Sequence, residues 1–334
     1  MIRACVIGLG VIGTAQAAVY SSDERSELAG VCDVNRERAD AAAARLGVPA
    51  FTNATEMLHA LRPDLVSMCI GGDSSPHVMP ALERGCHVLC EAPLAPDLAR
   101  VRELIAFAGE RGRCLAADFN LRFTPAARKA KEWIDQGRLG TPLFINLALW
   151  SACGDEPGDA AAVLTQLGCH GFDMMRHLCG DIARVHCFAI SGPGRREHSS
   201  AQANLQFANG VVGSLTVSAD MATQHPLARC EVAGTIARLV VDDVYEEITL
   251  YPHAEEAKTV ITNSIFGGLG SYEETYRCRI ERLLQQLTAG AAPGEIEGSG
   301  QEALAAQVAV AAAMESLARG EIVELATPRG QGEF

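Results

Sequence analysis

Apolar positions cluster in short, nearly unbroken runs through the first third of the chain. Residues 2–7 (IRACVI), 26–32 (SELAGVC), 64–71 (DLVSMCIG), 87–90 (HVLC) and 114–119 each read as a strand buried on both faces. Between them lie stretches with helical spacing, at 14–22, 77–85 and 97–112. Strands alternating with helices predict βαβ units and a parallel sheet covered on both sides. The pattern changes after about residue 120. A helix at 125–137 leads to a strand at 142–150, a Gly/Asp/Pro-rich loop at 151–159 and a helix at 163–179. Period-two strands follow at 183–191, 200–208, 210–219, 228–234, 237–243 and 246–252, with turns such as Ala208-Asn209-Gly210 between them. Two helices, 272–289 and 299–319, close the chain. The expected fold is an α/β Rossmann domain with a parallel sheet over 1–120. An α+β substrate and oligomerisation domain with a large, mostly antiparallel sheet follows over 121–334.

Composition narrows the classes. With 334 residues the chain can bury two cores, and 48% hydrophobic with 21% charged residues is the balance of a soluble globular protein. The formal charge is −13, and only Lys129, Lys131 and Lys258 among the 28 basic residues are lysines. The one short basic cluster, Arg122, Arg128, Lys129 and Lys131, offers no track for a phosphate backbone, so no nucleic acid partner is expected. No apolar run is long enough for a bilayer, so no membrane partner is expected either. The twelve cysteines form no CxxC pair, and Cys5, Cys32, Cys69 and Cys90 fall inside apolar strands. They read as small buried hydrophobes in a reducing, cytoplasmic compartment. Arg3, an apolar run and Ala15-Gln16-Ala17 mimic a secretory signal with its cleavage site.

Those N-terminal residues have a better use. Gly8-Leu9-Gly10-Val11-Ile12-Gly13 joins the first strand to the first helix, and Asp33 ends the second strand twenty residues after Gly13. In a dinucleotide site the first glycine permits a tight turn, the second lets the backbone approach a pyrophosphate, and the third lets helix pack on strand. The helix N-terminus offers free N–H groups to the phosphates. Asp33 stands where a carboxylate accepts from the adenosine ribose. A carboxylate there, with Val34 and Asn35 next, favours NAD; Arg36 and Arg38 leave NADP open.

These motifs, VIGLGVIG, AGVCDVN, the helix with His77, PALERGCHVLCEAPLA, FNLRFTPA, LGCHGFDMMRHLCGD and the closing GQEALAAQVAVAAAMESLARGEIVEL, resemble the glucose–fructose oxidoreductase/inositol dehydrogenase/MocA family nearly end to end. The resemblance implies hydride transfer between NAD(P) and a ring hydroxyl of a sugar or cyclitol. It places the cofactor on Gly8, Gly10, Val11, Ile12, Gly13, Asp33, Gly71, His77, Glu91 and Pro93. It also implies a homo-oligomer joined through the outer face of the second sheet.

Two departures stand out. The family's Glu-Lys-Pro is Glu91-Ala92-Pro93 here, and the aspartate four residues before the family's histidine is Gln166, four before His170. His170, with Gln166, is therefore the remaining catalytic candidate, with a ring suited to proton transfer near neutral pH. Asn120, Arg122, Trp150 and the space at Ala92 are the substrate candidates, although Arg122 serves equally well as partner of an acidic residue. His170, Asp173 and His177 share a helix face, but the histidines lie two turns apart and no metal is expected. Cys153 and Cys169 lack a basic neighbour to activate a thiol. The function expected is an NAD(P)-dependent oxidoreductase acting on a polar small molecule, a sugar, cyclitol or other carbonyl or imine compound. The alternative is a dinucleotide-binding relative that lost dehydrogenase activity and serves as a ligand sensor or non-redox enzyme.

Overall fold

The structure, a computed structural model, describes residues 1–151, 163–195, 198–221, 228–243, 246–266 and 269–325. Two compact units emerge, one formed by 1–123 with 270–304, the other by 124–269 with the residues from 305 onward.

The first unit is built on six parallel strands: β1 (Ile2–Ile7), β2 (Ser26–Cys32), β3 (Ala50–Phe51), β4 (Leu65–Met68), β5 (His87–Cys90) and β6 (Leu115–Ala117). Their order is β3-β2-β1-β4-β5-β6. The chain runs outward from β1 and then returns to β4 on its other side. In an open α/β sheet this reversal leaves a crevice at the carboxyl ends of the strands, where ligands bind. Helices α1 (Val11–Ser22), α2 (Arg36–Leu46), α3 (Ala54–Leu61), α4 (Ser75–Glu83) and α5 (Leu98–Glu110) make the connections. Asn35, Asn53 and Asp97 cap α2, α3 and α5, each side chain accepting from a first-turn backbone N–H.

The sequence pattern passes over α2, β3 and α3. Helix α2 buries only Ala39, Ala42 and Ala43, so its apolar stripe is faint, and β3 is two residues long.

The second unit begins with α6 (Pro125–Asp135) and β7 (Pro142–Trp150). A π-helical turn at Val163–Gly168 then runs into α7 (Cys169–Cys179), in place of the single regular helix expected over 163–179. Strands β8 (Ile182–Ile190), β9 (Ser200–Phe207), β10 (Val212–Ser218), β11 (Ala228–Gly234), β12 (Ala237–Asp242), β13 (Glu247–Pro252) and β14 (Thr259–Thr262) follow, then the short helix α8 (Asn263–Phe266). With β15 (Val323–Glu324) they form a nine-stranded sheet ordered β14-β13-β12-β11-β7-β10-β9-β8-β15. It is antiparallel except where β10 runs parallel to β7. Ile145, Leu147, Leu149, Leu215 and Val217 are buried on one face. Helix α7 closes on that face at Gly171, where a Cβ would lie 2.6 Å from Leu215 Cδ1.

Residues 270–304 depart from the expected block 121–334, because they pack with the first unit. Helix α9 (Glu274–Thr288) sets Ile280, Leu283 and Leu284 into one apolar cluster with Ala17 and Tyr20 of α1, Leu89 of β5 and Ala116 of β6. Burial, not chain order, decides where that helix belongs. The last helix, α10 (Gly300–Arg319), starts in this segment.

Candidate active site

The Gly8–Gly13 loop has the geometry its glycines predict. Gly8 sits at φ +90°, a conformation that L side chains rarely adopt, and a Cβ there would meet Cys69 O at 2.1 Å. A Cβ on Gly13 would meet Gly8 O at 1.8 Å. Gly10 differs: its φ is −68° and a Cβ would meet nothing within 4 Å. Its glycine therefore answers to no neighbour among the described residues. It answers to the open space in front of α1, where the helix starts with no side-chain cap and no acidic residue in its first turn. Val11 is exposed there and Ile12 partly so. Asp33 is buried at the end of β2, accepting from Leu9 N–H at 2.7 Å and from Asn35 N–H at 2.8 Å. It thereby ties the loop to β2 and keeps lone pairs for a ribose. Glycine cradle, bare helix N-terminus and carboxylate together fit NAD. Gly71 and His77, after β4 and on α4, are both exposed along the same edge.

Across the crevice, β5 and β6 end in acidic residues. Cys90 and Ala117 pair in register, so Glu91 and Asp118 are the next residues on neighbouring strands. Asp118 is fully buried and accepts from Gln16 Nε2 of α1 at 2.6 Å. Burial pushes its carboxyl up to about 7, against the pull of Arg279 and of that hydrogen bond. Glu91 keeps part of its surface; burial and the neighbouring Asp118 push it up to about 7 as well. Ala92 and Pro93 follow, partly exposed, joined by a cis peptide.

Beneath this edge Arg279 is wholly buried. Its Nε donates to Ala117 O at 3.1 Å and its guanidinium lies 4.6 Å from the Phe123 ring centre. The sequence reading missed Gln16, Asp118 and Arg279. Asp118 carried one usable signal, its place directly after a strand, matching Glu91 after β5.

Asn120 and Arg122 do not reach a substrate surface. Asn120 is completely buried and donates to Thr275 Oγ1 at 2.6 Å. Arg122 is buried and pairs with Glu302 at 2.8 Å, while Glu302 also accepts from the N–H groups of Gly298 and Ser299 at the start of α10. Both residues tie the segment after β6 to residues 270–304; of the two roles open to Arg122, the structure supports the ion pair.

In the second unit Gln166 is exposed on the π-helical turn and His170 partly exposed on the first turn of α7. Burial of the ring pushes the His170 imidazole down to about 4. Trp150 does not join them. Alternation along β7 puts it on the face opposite Leu149, and Leu149 is the side that meets α7 at Gly171. Among the described residues no group of three or more His, Cys, Asp and Glu is arranged to hold a metal ion. Burial raises the Cys169 thiol, whereas Cys153 and nearly all of the 151–159 loop lie outside the described residues. No helix among the described residues is long and apolar enough to cross a membrane.

Residues 2–119 match the model of an oxidoreductase family with an NAD-binding Rossmann fold, GFO_IDH_MocA, and residues 127–240 match the GFO/IDH/MocA C-terminal domain. D-glucoside 3-dehydrogenase of Escherichia coli (strain K12) is 31% identical over 196 residues, 54% of this chain and 54% of that protein. Myo-inositol 2-dehydrogenase of Thermotoga maritima is 25% identical over 314 residues, 90% of this chain and 93% of the relative. Among solved structures, levoglucosan dehydrogenase in complex with NADH and levoglucosan superposes with a TM-score of 0.86 at 19% identity, covering 97% of this chain and 99% of that one; that likeness is one of fold. With both family models matched in order and the dinucleotide cradle in place, the chain belongs to the Gfo/Idh/MocA family of NAD-dependent oxidoreductases.

Proposed function

We propose that the protein interconverts a ring hydroxyl and a ring ketone on a polyhydroxylated small molecule, a sugar or a cyclitol. NAD, when bound, supplies the acceptor for the hydride. The observation that carries the reading is the crevice of the first unit, where the cradle of Gly8, Gly10, Gly13 and Asp33 shares an edge with the partly open Glu91. The names of the relatives, a glucoside and an inositol dehydrogenase, support the substrate class. Val11, Ile12, Gly71, His77 and Pro93 complete the cofactor surface in this reading. His170, neutral at physiological pH, hydrogen-bonds the reacting hydroxyl, and Gln166 adds a neutral amide where a carboxylate would carry charge. Ala92 leaves room against the substrate.

The solvent-facing side of the nine-stranded sheet exposes Phe188, Ile190 and Val212, and we assign it to a second copy of the chain.

A second reading rests on Ala92 and on the lowered His170 pKa: a chain that binds NAD and ligand without turnover. Incubating the protein with NAD and a panel of sugars and cyclitols, and following NADH formation, separates the two. Turnover with at least one polyol, reduced roughly 10- to 100-fold in kcat/KM by His170→Ala for one lost hydrogen bond, supports the dehydrogenase. Tight NAD binding with no turnover across the panel supports the second reading.

A further inference from the structure

Oxidising an alcohol releases a hydroxyl proton, and the described groups at the strand ends of the first unit are short of bases. None of the three lysines belongs to that unit, since Lys129, Lys131 and Lys258 all fall in 124–269. His170 is a weak base, with its ring held near 4. Asp33 is engaged by the N–H groups of Leu9 and Asn35, Asp73 accepts from Ser75 N–H, and His77 belongs to α4; the acids at the ends of β5 and β6 are Glu91 and Asp118.

We propose that Glu91 accepts the hydroxyl proton of the substrate, and that Asp118, oriented by Gln16, is the positioning residue that keeps a proton shared on the pair. The inference rests on the dehydrogenase reading above. Its geometry comes from the sheet. Asp118 N–H donates to Cys90 O at 2.8 Å, which fixes the two acids side by side just past β5 and β6. Neighbours in register on a parallel sheet send their side chains to the same face. On that face Gln16 holds Asp118 Oδ2, while Oδ1 is buried and has no partner among the described protein atoms. One acid is sealed and the other is partly open, so only Glu91 can meet a small molecule. The charge of Asp118 adds to burial in raising Glu91, so the two acids titrate as a pair.

The groups facing the pair are Tyr20 of α1, Cys69 after β4, Cys90 of β5, and Tyr272, Tyr276 and Arg279 from the α9 segment. Burial raises the phenols and thiols, which leaves Arg279 as the cation among them. In the oxidative direction the O–H bond breaks and its proton passes to the Glu91 carboxylate. The carbinol C–H bond breaks with its electron pair, the hydrogen passing to NAD⁺ as the oxidant, and the C=O bond forms. Glu91 returns its proton to solvent through its open side.

Two measurements test this, one of which needs no substrate. Infrared difference spectra across pH should show a protonated carboxyl that persists to about 7, altered in both Glu91→Gln and Asp118→Asn. In turnover, kcat/KM for oxidation should rise with pH through that value. Glu91→Gln should lose roughly 10²- to 10⁴-fold while the Kd for NADH changes only a few-fold, and Glu91→Asp should restore part of the rate. Asp118→Asn should move the rising limb of kcat/KM to lower pH, because the like charge beside Glu91 is gone, a shift that a merely structural role would not produce. Full activity in Glu91→Gln, a limb unmoved by Asp118→Asn, or no protonated carboxyl above about pH 5 would each overturn the proposal. If the wild type oxidises no polyol, the dehydrogenase reading falls and takes the catalytic role with it. The infrared result still decides whether the pair holds a shared proton.

Discussion

Gly10 and Gly13 stand three residues apart in one loop, and the structure gives them opposite reasons for being glycine. A methyl group on Gly13 would sit 1.8 Å from Gly8 O, about half the 3.4 Å at which ordinary contacts begin. The oxygen belongs to backbone, and Gly8 is itself anchored by N–H donation to Cys32 O at 2.8 Å, so neither side can yield cheaply. Gly13→Ala should therefore cost at least about 3 kcal/mol of stability, the upper part of the range for overpacking. Gly10→Ala meets nothing within 4 Å at an ordinary φ of −68°, so unfolding free energy should stay within about 0.5 kcal/mol of wild type. The same methyl group would occupy the space in front of α1 that the account gives to the pyrophosphate. A clash worth about 1–3 kcal/mol there weakens NAD by roughly 5- to 150-fold. Urea unfolding reads the first quantity and NADH fluorescence titration the second. A Gly10→Ala protein that binds NADH with unchanged Kd would refute the placement of the cofactor. Equal destabilisation by the two substitutions would refute the packing argument.

Other consequences follow from the buried charges. The native state favours the protonated form of Asp118, so the stability this residue supports is complete below about pH 4 and lost as pH rises through about 7. The loss is up to about 4 kcal/mol, and Asp118→Asn should flatten that slope in urea midpoints. His170 acts in the opposite sense: its contribution is complete above 6.5 and lost as pH falls through about 4, so His170→Asn should flatten the acid side. Arg122→Ala should cost about 2–3 kcal/mol in the same assay, below the full penalty for a broken buried pair because Glu302 is 38% exposed and can rehydrate. Ala92→Lys, by placing an ammonium next to Glu91, should move the rising limb of the pH–rate profile to lower pH, and a profile that does not move would remove Glu91 from it.

The parts legible in sequence were those that rest on local spacing. The Gly8–Gly13 loop, the buried strands and Asp33 announce themselves because turn, pyrophosphate approach and ribose contact all fall within one βαβ unit. The period-two strands of the second unit are equally local. What was not legible depends on distant packing. Nothing near Gln16 in the chain shows that its amide meets Asp118, 102 residues on. Arg279 looks like a surface arginine until α9 is seen against α1, and that placement also moved 270–304 out of the second block. Asn120 and Arg122 looked like substrate contacts because they follow a Rossmann strand; their partners, Thr275 and Glu302, lie more than 150 residues away. The π-helical turn before His170 leaves no mark in an apolar pattern that suits a regular helix.

The structure of the NAD complex tests the central claim most directly, through the position of the nicotinamide ring relative to Glu91. The pyrophosphate is expected over Gly10, the adenosine ribose on Asp33, and the nicotinamide at the ends of β4 and β5. A substrate atom placed against C4 should then lie roughly 3 Å from the Glu91 carboxyl. A dinucleotide bound away from the Gly8–Gly13 loop, or a nicotinamide pointing away from Glu91, would contradict it.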